Sequence, residues 1–197
     1  MTIPIKDDPF ALFDEWFQLA RACREITEPT AMTLATVSPE GLPTARVVLL
    51  KGFDTNGFVF YTNLTSAKAI HLRANPHCTL CFYWMPLNRQ VRIEGTADQV
   101  SDEEADAYFA TRPRLSQLGA WASKQSQPLP SRHELEKRLA KYTLQFGMGS
   151  VPRPPFWSGF RVRPTAFEFW LKQPFRLHDR LRYERDGETW RPVHLYP

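Results

Sequence analysis

The chain has 197 residues, of which 43% are hydrophobic and 23% charged, and its 25 basic and 21 acidic side chains leave a formal charge of +4. That size and balance fit one well-cored globular domain and exclude a disordered chain. The small positive excess suits phosphorylated small molecules and is thin for a dedicated nucleic-acid binder, and no apolar run approaches the ~20 residues of a membrane span.

The opening Met-Thr-Ile-Pro-Ile-Lys-Asp-Asp-Pro has no basic-then-apolar leader, so the expected location is the cytoplasm. Asp8-Pro9 reads as an N-cap followed by a first-turn proline, and Phe10, Phe13, Trp16, Phe17 and Ala20 recur behind it at helical spacing. From Ala31 the pattern becomes β: Met32 to Val37, a turn at Pro39–Pro43, then Ala45 to Lys51, a turn at Asp54–Gly57, and Phe58 to Thr62. Runs joined by such short turns predict an antiparallel meander. A short helix is expected over Thr65–Ala74, stopped by Asn75-Pro76, followed by strands Cys78–Trp84 and Arg89–Gln99. Ser101-Asp-Glu-Glu104 and Ser131-Arg-His-Glu134 are capping boxes. The first opens a helix through Tyr108 that stops near Pro113, a further helical piece covers Leu115–Ser123, and Leu135, Leu139, Tyr142 and Phe146 follow the second box. Three strands close the chain, Gly159–Val162, Ala166–Leu171 and Leu177–Glu184, with a hairpin turn at Asp186-Gly187. Strands at both ends with helices between them predict an α+β domain, mainly β, on an antiparallel barrel. The expected organisation is one domain over residues 1–197. It has a helical segment at 1–30, barrel strands at 31–100, a helical insertion at 101–150 and final strands at 156–197.

Several residues carry potential chemistry. Cys78 and Cys81 have the Cys-x-x-Cys spacing but sit in a strand, where residues three apart face opposite ways, so they read as packing residues beside Cys23. Five scattered histidines without metal-ligand spacing predict no metal site. Asn63-Leu-Thr-Ser-Ala-Lys68 brings two hydroxyls and an ammonium to a helix start, either an anion site or plain capping. Arg46 shares a strand face with Val48 and Leu50, so it should be partly buried and need an anionic partner. Tyr108, Arg112 and Ser116 recur at i, i+4 and i+8, a phenol, a guanidinium and a hydroxyl suited to phosphate, with a plain surface helix as the alternative. Arg176-Leu-His-Asp-Arg180, read as an extended strand, lines up Arg176, His178 and Arg180 on one face toward an anion or an electron-rich ring; a solvated basic face is the alternative. The chain has no phosphate-binding Gly-x-x-x-x-Gly-Lys-Ser/Thr loop and no Gly-x-Ser-x-Gly elbow, and Gly147-Met-Gly149 lacks a third glycine. A kinase, an α/β-hydrolase or a classical dehydrogenase is disfavoured on that basis.

Eight segments in order resemble the motifs of the pyridoxamine 5′-phosphate oxidase family. They are Arg46-Val-Val-Leu-Leu-Lys51, Phe60-Tyr-Thr-Asn63, Arg89-Gln-Val91, Arg112-Pro-Arg-x-Ser-Gln117, Gly119-Ala-Trp-Ala-Ser-Lys-Gln-Ser126, Phe156-Trp-Ser-Gly-Phe160, Phe169-Trp170 and Arg176-Leu-His-Asp-Arg180. The resemblance implies an FMN-binding split β-barrel homodimer with FMN at the subunit interface. It gives cofactor-binding roles to Arg46, Val47, Val48, Leu49, Lys51, Tyr61, Thr62, Lys68, Gln90, Gln125, Ser126, Trp170 and Arg180. Lys51, Tyr108, Arg112 and Ser116 would hold the substrate phosphate, with Arg176 and His178 as catalytic residues over the substrate ring. The implied reaction oxidises pyridoxamine or pyridoxine 5′-phosphate to pyridoxal 5′-phosphate, with hydride passing to the flavin and oxygen reduced to hydrogen peroxide. No nucleic acid or membrane is implied as a partner.

The sequence departs from the family pattern in three places. Ala67 stands where an arginine is common, which should weaken flavin binding by ~1.5–3 kcal/mol unless another group compensates. The Arg-x-x-Tyr and Gly-Leu elements that close over the substrate do not precede Asp8-Pro9, and Val193-His-Leu-Tyr-Pro197 replaces Arg-Leu-x-Pro. Two alternatives follow: a related flavin oxidase for another substrate such as a phenazine precursor, or a split-barrel protein that binds flavin or haem without turnover.

Overall fold

The computed structural model describes residues 2–197. Helix α1 (Pro9–Ala22) begins where Asp8 accepts the Phe10 N–H at 2.9 Å and Pro9 fills the first turn. Its buried face carries Phe10, Leu12, Phe13, Trp16, Phe17 and Ala20. Phe13 meets the rings of Phe53, Phe58 and Phe82 edge-on at 4.9, 4.9 and 5.2 Å, so the helix closes the barrel interior with aromatic surface.

The strands are β1 (Ala31–Val37), β2 (Pro43–Leu49), β3 (Gly52–Asp54), β4 (Gly57–Asn63), β5 (His77–Trp84), β6 (Arg89–Gln99), β7 (Trp157–Leu171), β8 (Asp179–Asp186) and β9 (Thr189–His194). They form one antiparallel sheet in the order β2-β1-β5-β6-β7-β4-β3, with β8 on β7 and β9 on β8. The Lys51 N–H donates to the Val59 carbonyl at 2.8 Å and brings the end of β2 to β4, closing the barrel. Strand β7 is the shared member. Its first half pairs with β4, its second half pairs with β8, and β6 runs along its other edge through both. That arrangement is a mainly β split barrel.

Two strand expectations need correction. The early strands are not a meander: β1 takes β5 as its second neighbour and β4 takes β7. Turn residues fix only the local hairpins β1–β2 and β3–β4; interior contacts such as Phe60 against Phe160 at 5.9 Å fix the rest. Likewise, the two strands expected at Gly159–Val162 and Ala166–Leu171 are one, β7, running through Pro164. A register shift between Glu94 and Gly95 accommodates the proline, which has no N–H to give the ladder.

Helix α2 (Ala67–Ala74) follows β4, and three helices lie between β6 and β7: α3 (Asp102–Thr111), α4 (Arg114–Ala122) and α5 (Arg132–Phe146). Both expected caps form, with Ser101 Oγ accepting the Glu104 N–H and Ser131 Oγ the Glu134 N–H, each at 3.2 Å. Leu139, Tyr142 and Phe146 of α5 pack around a second small core of Phe109, Leu118, Val151 and Trp157.

A charged network crosses β6, β7 and β8. Glu94 accepts Arg182 Nη1 and Nη2 at 3.1 and 2.9 Å and Arg92 Nη2 at 2.6 Å. Buried Glu168 takes Arg180 Nε and Nη2 at 2.9 and 2.8 Å, with Arg92 Nη1 at 3.5 Å. The hydrogen bonds from Arg182, ahead of those from Arg92, pull the Glu94 carboxyl down to about 2 from an ordinary value of 4.5. Its stabilising contribution is therefore complete above the unfolded value and disappears as pH falls toward the folded one. Glu94→Gln should be less stable than wild type near neutral pH, and the gap should close in acid, as urea midpoints taken from neutral pH down to about 2 would read. A gap of constant size would contradict the assignment.

The bulge gives a second test. A Cβ on Gly95 would lie 2.1 Å from the Arg163 carbonyl oxygen, whereas one on Gly52 would meet nothing within 4 Å. Gly95→Ala should lower unfolding free energy by ~1–3 kcal/mol while Gly52→Ala stays near wild type. Equal stability of the two variants would show that the strands separate at no cost.

Candidate active site

A cavity of about 380 Å³ opens between β4, the α3–α4 junction and the segment before α5. Its lining includes Lys51, Tyr61, Thr62, Tyr108, Arg112, Ser116, Gln125 and Trp157. Pro113 separates α3 from α4, so Tyr108, Arg112 and Ser116 are not on one continuous helix. They converge because the two helices meet at that proline: Arg112 ends α3 and Ser116 lies in the first turn of α4, its N–H donating to the Pro113 carbonyl at 2.8 Å.

Aromatic rings form one wall. Tyr61 lies 4.0 Å from Tyr108 at 8° and 5.3 Å from Trp157 at 4°, a parallel stack. The stack fits because Gly159 is opposite Tyr61 on β7; a Cβ there would approach the ring to 2.8 Å. Burial, then the Glu104 carboxylate, pushes the Tyr61 phenol up to about 12, and burial raises Tyr108 as well. Both hydroxyls therefore remain protonated donors at neutral pH.

The Arg112 guanidinium lies 4.8 Å over the Trp157 ring, and its Nη1 is buried without a hydrogen-bond partner. Burial lowers its affinity for its proton, with no carboxylate among the causes to restore it. A buried, unpartnered guanidinium nitrogen is costly unless an acceptor arrives.

A second cationic cluster adjoins the cavity through Thr62 and Gln125. Lys68 Nζ donates to Gln125 Oε1 at 2.9 Å, Thr62 Oγ1 at 3.1 Å and Ser66 Oγ at 3.3 Å. Burial, then nearby Arg46, depresses the Lys68 ammonium, and burial lowers Arg46. Ser66 stands at the N-cap of α2 but makes no side-chain capping bond; its hydroxyl serves Lys68 instead, while Ser126 Oγ accepts the Ala67 N–H at 3.3 Å. Arg46 has no anionic partner among the described residues and donates only to Leu34 O, Thr36 Oγ1 and Thr44 Oγ1 at 3.2, 2.6 and 2.6 Å. Val47 on the same edge strand is exposed, and Val48 and Leu49 are half-buried.

The remaining expected residues lie elsewhere. Gln90, Trp170 and Arg180 stand side by side across β6, β7 and β8. Trp170 is thirteen residues along β7 from cavity-lining Trp157, a strand length on the order of 40 Å. Arg180 is held by Glu168 and by the Tyr196 carbonyl, the latter at 2.9 Å. Within one subunit, then, the structure joins the Lys51–Tyr108–Arg112–Ser116 group to Thr62, Lys68 and Gln125 and leaves Gln90, Trp170, Arg176, His178 and Arg180 apart.

The expected straight row of Arg176, His178 and Arg180 does not form. Pro174–Arg176 is a turn with Phe175 and Arg176 at φ 56° and 62°, and β8 starts only at Asp179. Pro174 and the Gln173 N–H, which donates to His178 Nδ1 at 3.2 Å, bend the chain there. Non-glycine residues in that region are strained. The accepting Nδ1 leaves the proton on Nε2, and the imidazole packs 4.7 Å from Trp170.

Sequence reasoning did not assign Trp157, Asn63 or Ser123 to the cavity, although all three line it. Trp157 was recoverable only with the β4–β7 pairing in hand, since the aromatic stack spans separate elements.

The family model described as pyridoxamine 5′-phosphate oxidase matches residues 19–146, and that of the pyridoxine 5′-phosphate oxidase C-terminal dimerisation region matches residues 157–197. The pyridoxine/pyridoxamine 5′-phosphate oxidase of Caulobacter vibrioides is 56% identical over 98% of this chain and 86% of its own length. That of Rubrobacter xylanophilus is 58% identical over 96% of this chain and 87% of its own. Among solved structures, PhzG from Burkholderia lata, in complex with tetrahydrophenazine-1-carboxylic acid, superposes with a TM-score of 0.91 at 33% identity, covering 98% of this chain and 94% of that one. A pyridoxamine 5′-phosphate oxidase-related, FMN-binding protein from Nostoc punctiforme shares the fold at a TM-score of 0.77 and 19% identity, covering 98% and 100%. The chain belongs to the pyridoxamine 5′-phosphate oxidase family.

Proposed function

We propose that the chain is an FMN-dependent oxidase that converts pyridoxamine or pyridoxine 5′-phosphate to pyridoxal 5′-phosphate, working as a homodimer. The observation that carries this reading is the convergence of Lys51, Tyr108, Arg112 and Ser116 on one cavity, with a buried guanidinium nitrogen of Arg112 lacking an acceptor. Two cations and two hydroxyl donors suit a phosphate dianion better than a single carboxylate, which favours a phosphorylated B6 compound over a phenazine precursor.

Arg46, Lys68, Gln125 and Ser126 are suited to the FMN phosphate, because the first two are desolvated cations without carboxylate partners. Bound FMN supplies the two-electron acceptor that oxygen regenerates, releasing hydrogen peroxide. The chain's own part is to bind and orient. Lys51, Tyr108, Arg112 and Ser116 fix the substrate phosphate, while the Tyr61–Tyr108–Trp157 wall excludes water on one side. Arg176 and His178, with a donor proton on Nε2, cover the substrate ring from the partner subunit. Gln90, Trp170 and Arg180 belong to that second half, alongside Val47, Val48, Leu49, Tyr61 and Thr62 of the first as flavin contacts.

The whole chain is proposed to act as a single split-barrel domain. No helix of the described residues is long and apolar enough to cross a membrane. A cytoplasmic setting belongs to this reading, supported by three cysteines that are all free thiols.

The test is direct. Protein loaded with FMN should turn over pyridoxine or pyridoxamine 5′-phosphate with formation of pyridoxal 5′-phosphate and peroxide. Arg112→Ala should raise KM for the phosphorylated substrate about tenfold or more. Arg176→Ala should instead lower kcat on the order of a hundredfold while FMN content stays near wild type. Flavin-loaded protein without turnover on either B6 phosphate would reject the reading, and equal loss of flavin and turnover in Arg176→Ala would reject that residue's role.

A further inference from the structure

His71 is a buried histidine with no place yet in the proposed site. It lies on α2 three residues beyond Lys68. Its Nδ1 is 3.1 Å from Thr36 Oγ1 and 3.2 Å from Thr44 Oγ1. The same two hydroxyls hold Arg46, whose Nη1 and Nη2 reach Thr36 and Thr44 at 2.6 Å each.

Proton accounting orders this cluster. A guanidinium only donates, so both threonine oxygens accept from Arg46 and each retains one proton to give. The Thr44 hydroxyl donates to the Thr36 carbonyl at 3.4 Å. Two acceptors then remain for the Thr36 hydroxyl, Thr44 Oγ1 at 3.2 Å and His71 Nδ1 at 3.1 Å; the imidazole nitrogen is the stronger acceptor, and when it accepts, the ring proton lies on Nε2. A histidine buried only for packing has no need of this circuit; here its side-chain partners are the two groups that orient Arg46.

Arg46 needs such support. It is desolvated, its own acceptors are all neutral, and the first residue of α2 is Ala67, which brings no charge to the helix start. One helix therefore supplies Lys68 to the anion site directly and His71 indirectly, tying α2 to β1 and β2 through Thr36 and Thr44.

We propose that His71 is a positioning residue for the flavin phosphate, aiming Arg46 through the hydroxyls of Thr36 and Thr44. The inference rests on the FMN reading above, and its test separates the two. FMN and riboflavin, which differ by the phosphate, are titrated into flavin-free wild type, His71→Leu and His71→Asn, with flavin fluorescence as the readout. Wild type should prefer FMN. His71→Leu should weaken FMN about tenfold while changing riboflavin affinity less than about twofold, and His71→Asn, whose Oδ1 can stand in for Nδ1, should recover most of the loss. A wild type that does not distinguish the two flavins would overturn the FMN-phosphate reading itself. A wild type that prefers FMN, with His71→Leu weakening both flavins alike or neither, would overturn the role of His71 alone. Should His71→Leu fail to fold, His71→Gln, whose amide group lies near the place of Nε2 and not of Nδ1, carries the same comparison: selective loss of FMN supports the role of His71, and unchanged FMN preference rejects it.

Discussion

Cations without carboxylates set the terms of this structure. On β7, β8 and the segment before β7 arginines are matched: Arg153 with Asp102 and Asp106, Arg161 with Asp54 and Glu104, Arg180 with Glu168, Arg182 with Glu94. Around the cavity the matching stops, and Arg46, Lys68 and Arg112 are desolvated among neutral partners. Holding charge this way opposes folding, and an arriving anion offsets it. Ligand binding and stability are therefore linked here, and bound flavin and phosphorylated substrate should stabilise the fold.

The geometry of β7 fits the proposal that the site is shared by two subunits. One strand pairs with β4 beside the cavity at its start and with β8 beside His178 and Arg180 at its end. No folding of a single subunit brings those ends together across a paired strand. A two-fold symmetric dimer can bring the far end of one β7 to the cavity of its partner, and symmetry then builds two equivalent sites. The exposed apolar side chains of Val47, Phe175 and Leu177 fit burial in such an interface.

Local chemistry was readable from residues alone. Asp8, Ser101 and Ser131 capped the helices they preceded, and strand alternation put Cys78 inside and Cys81 half out. Helical spacing singled out Tyr108, Arg112 and Ser116, and the ordered motifs added Lys51, Tyr61, Thr62 and Gln125. What escaped was set by contacts distant in sequence. Trp157 stacks on Tyr61 only once β4 pairs with β7, and β7 continues through Pro164 only because Gly95 yields a bulge opposite it. The Arg176–Arg180 segment alternated like a strand, yet left-handed φ values at two non-glycine residues bend it, a conformation that residue type argues against. Such strain is sustained by surrounding contacts, here the Gln173–His178 bond and the packing of His178 on Trp170.

Subunit complementation tests the shared site most directly. Arg112→Ala and Arg176→Ala disable opposite halves, so a hybrid dimer carries one site with both lesions and one with neither. With substrate well below the wild-type KM, where both variants are slow, mixing them under conditions of subunit exchange should raise activity to about a quarter of wild type, since half the dimers are hybrid and each has one intact site. Activity no higher than the mean of the two variants, with hybrid dimers verified by mass, would contradict a site built from two chains.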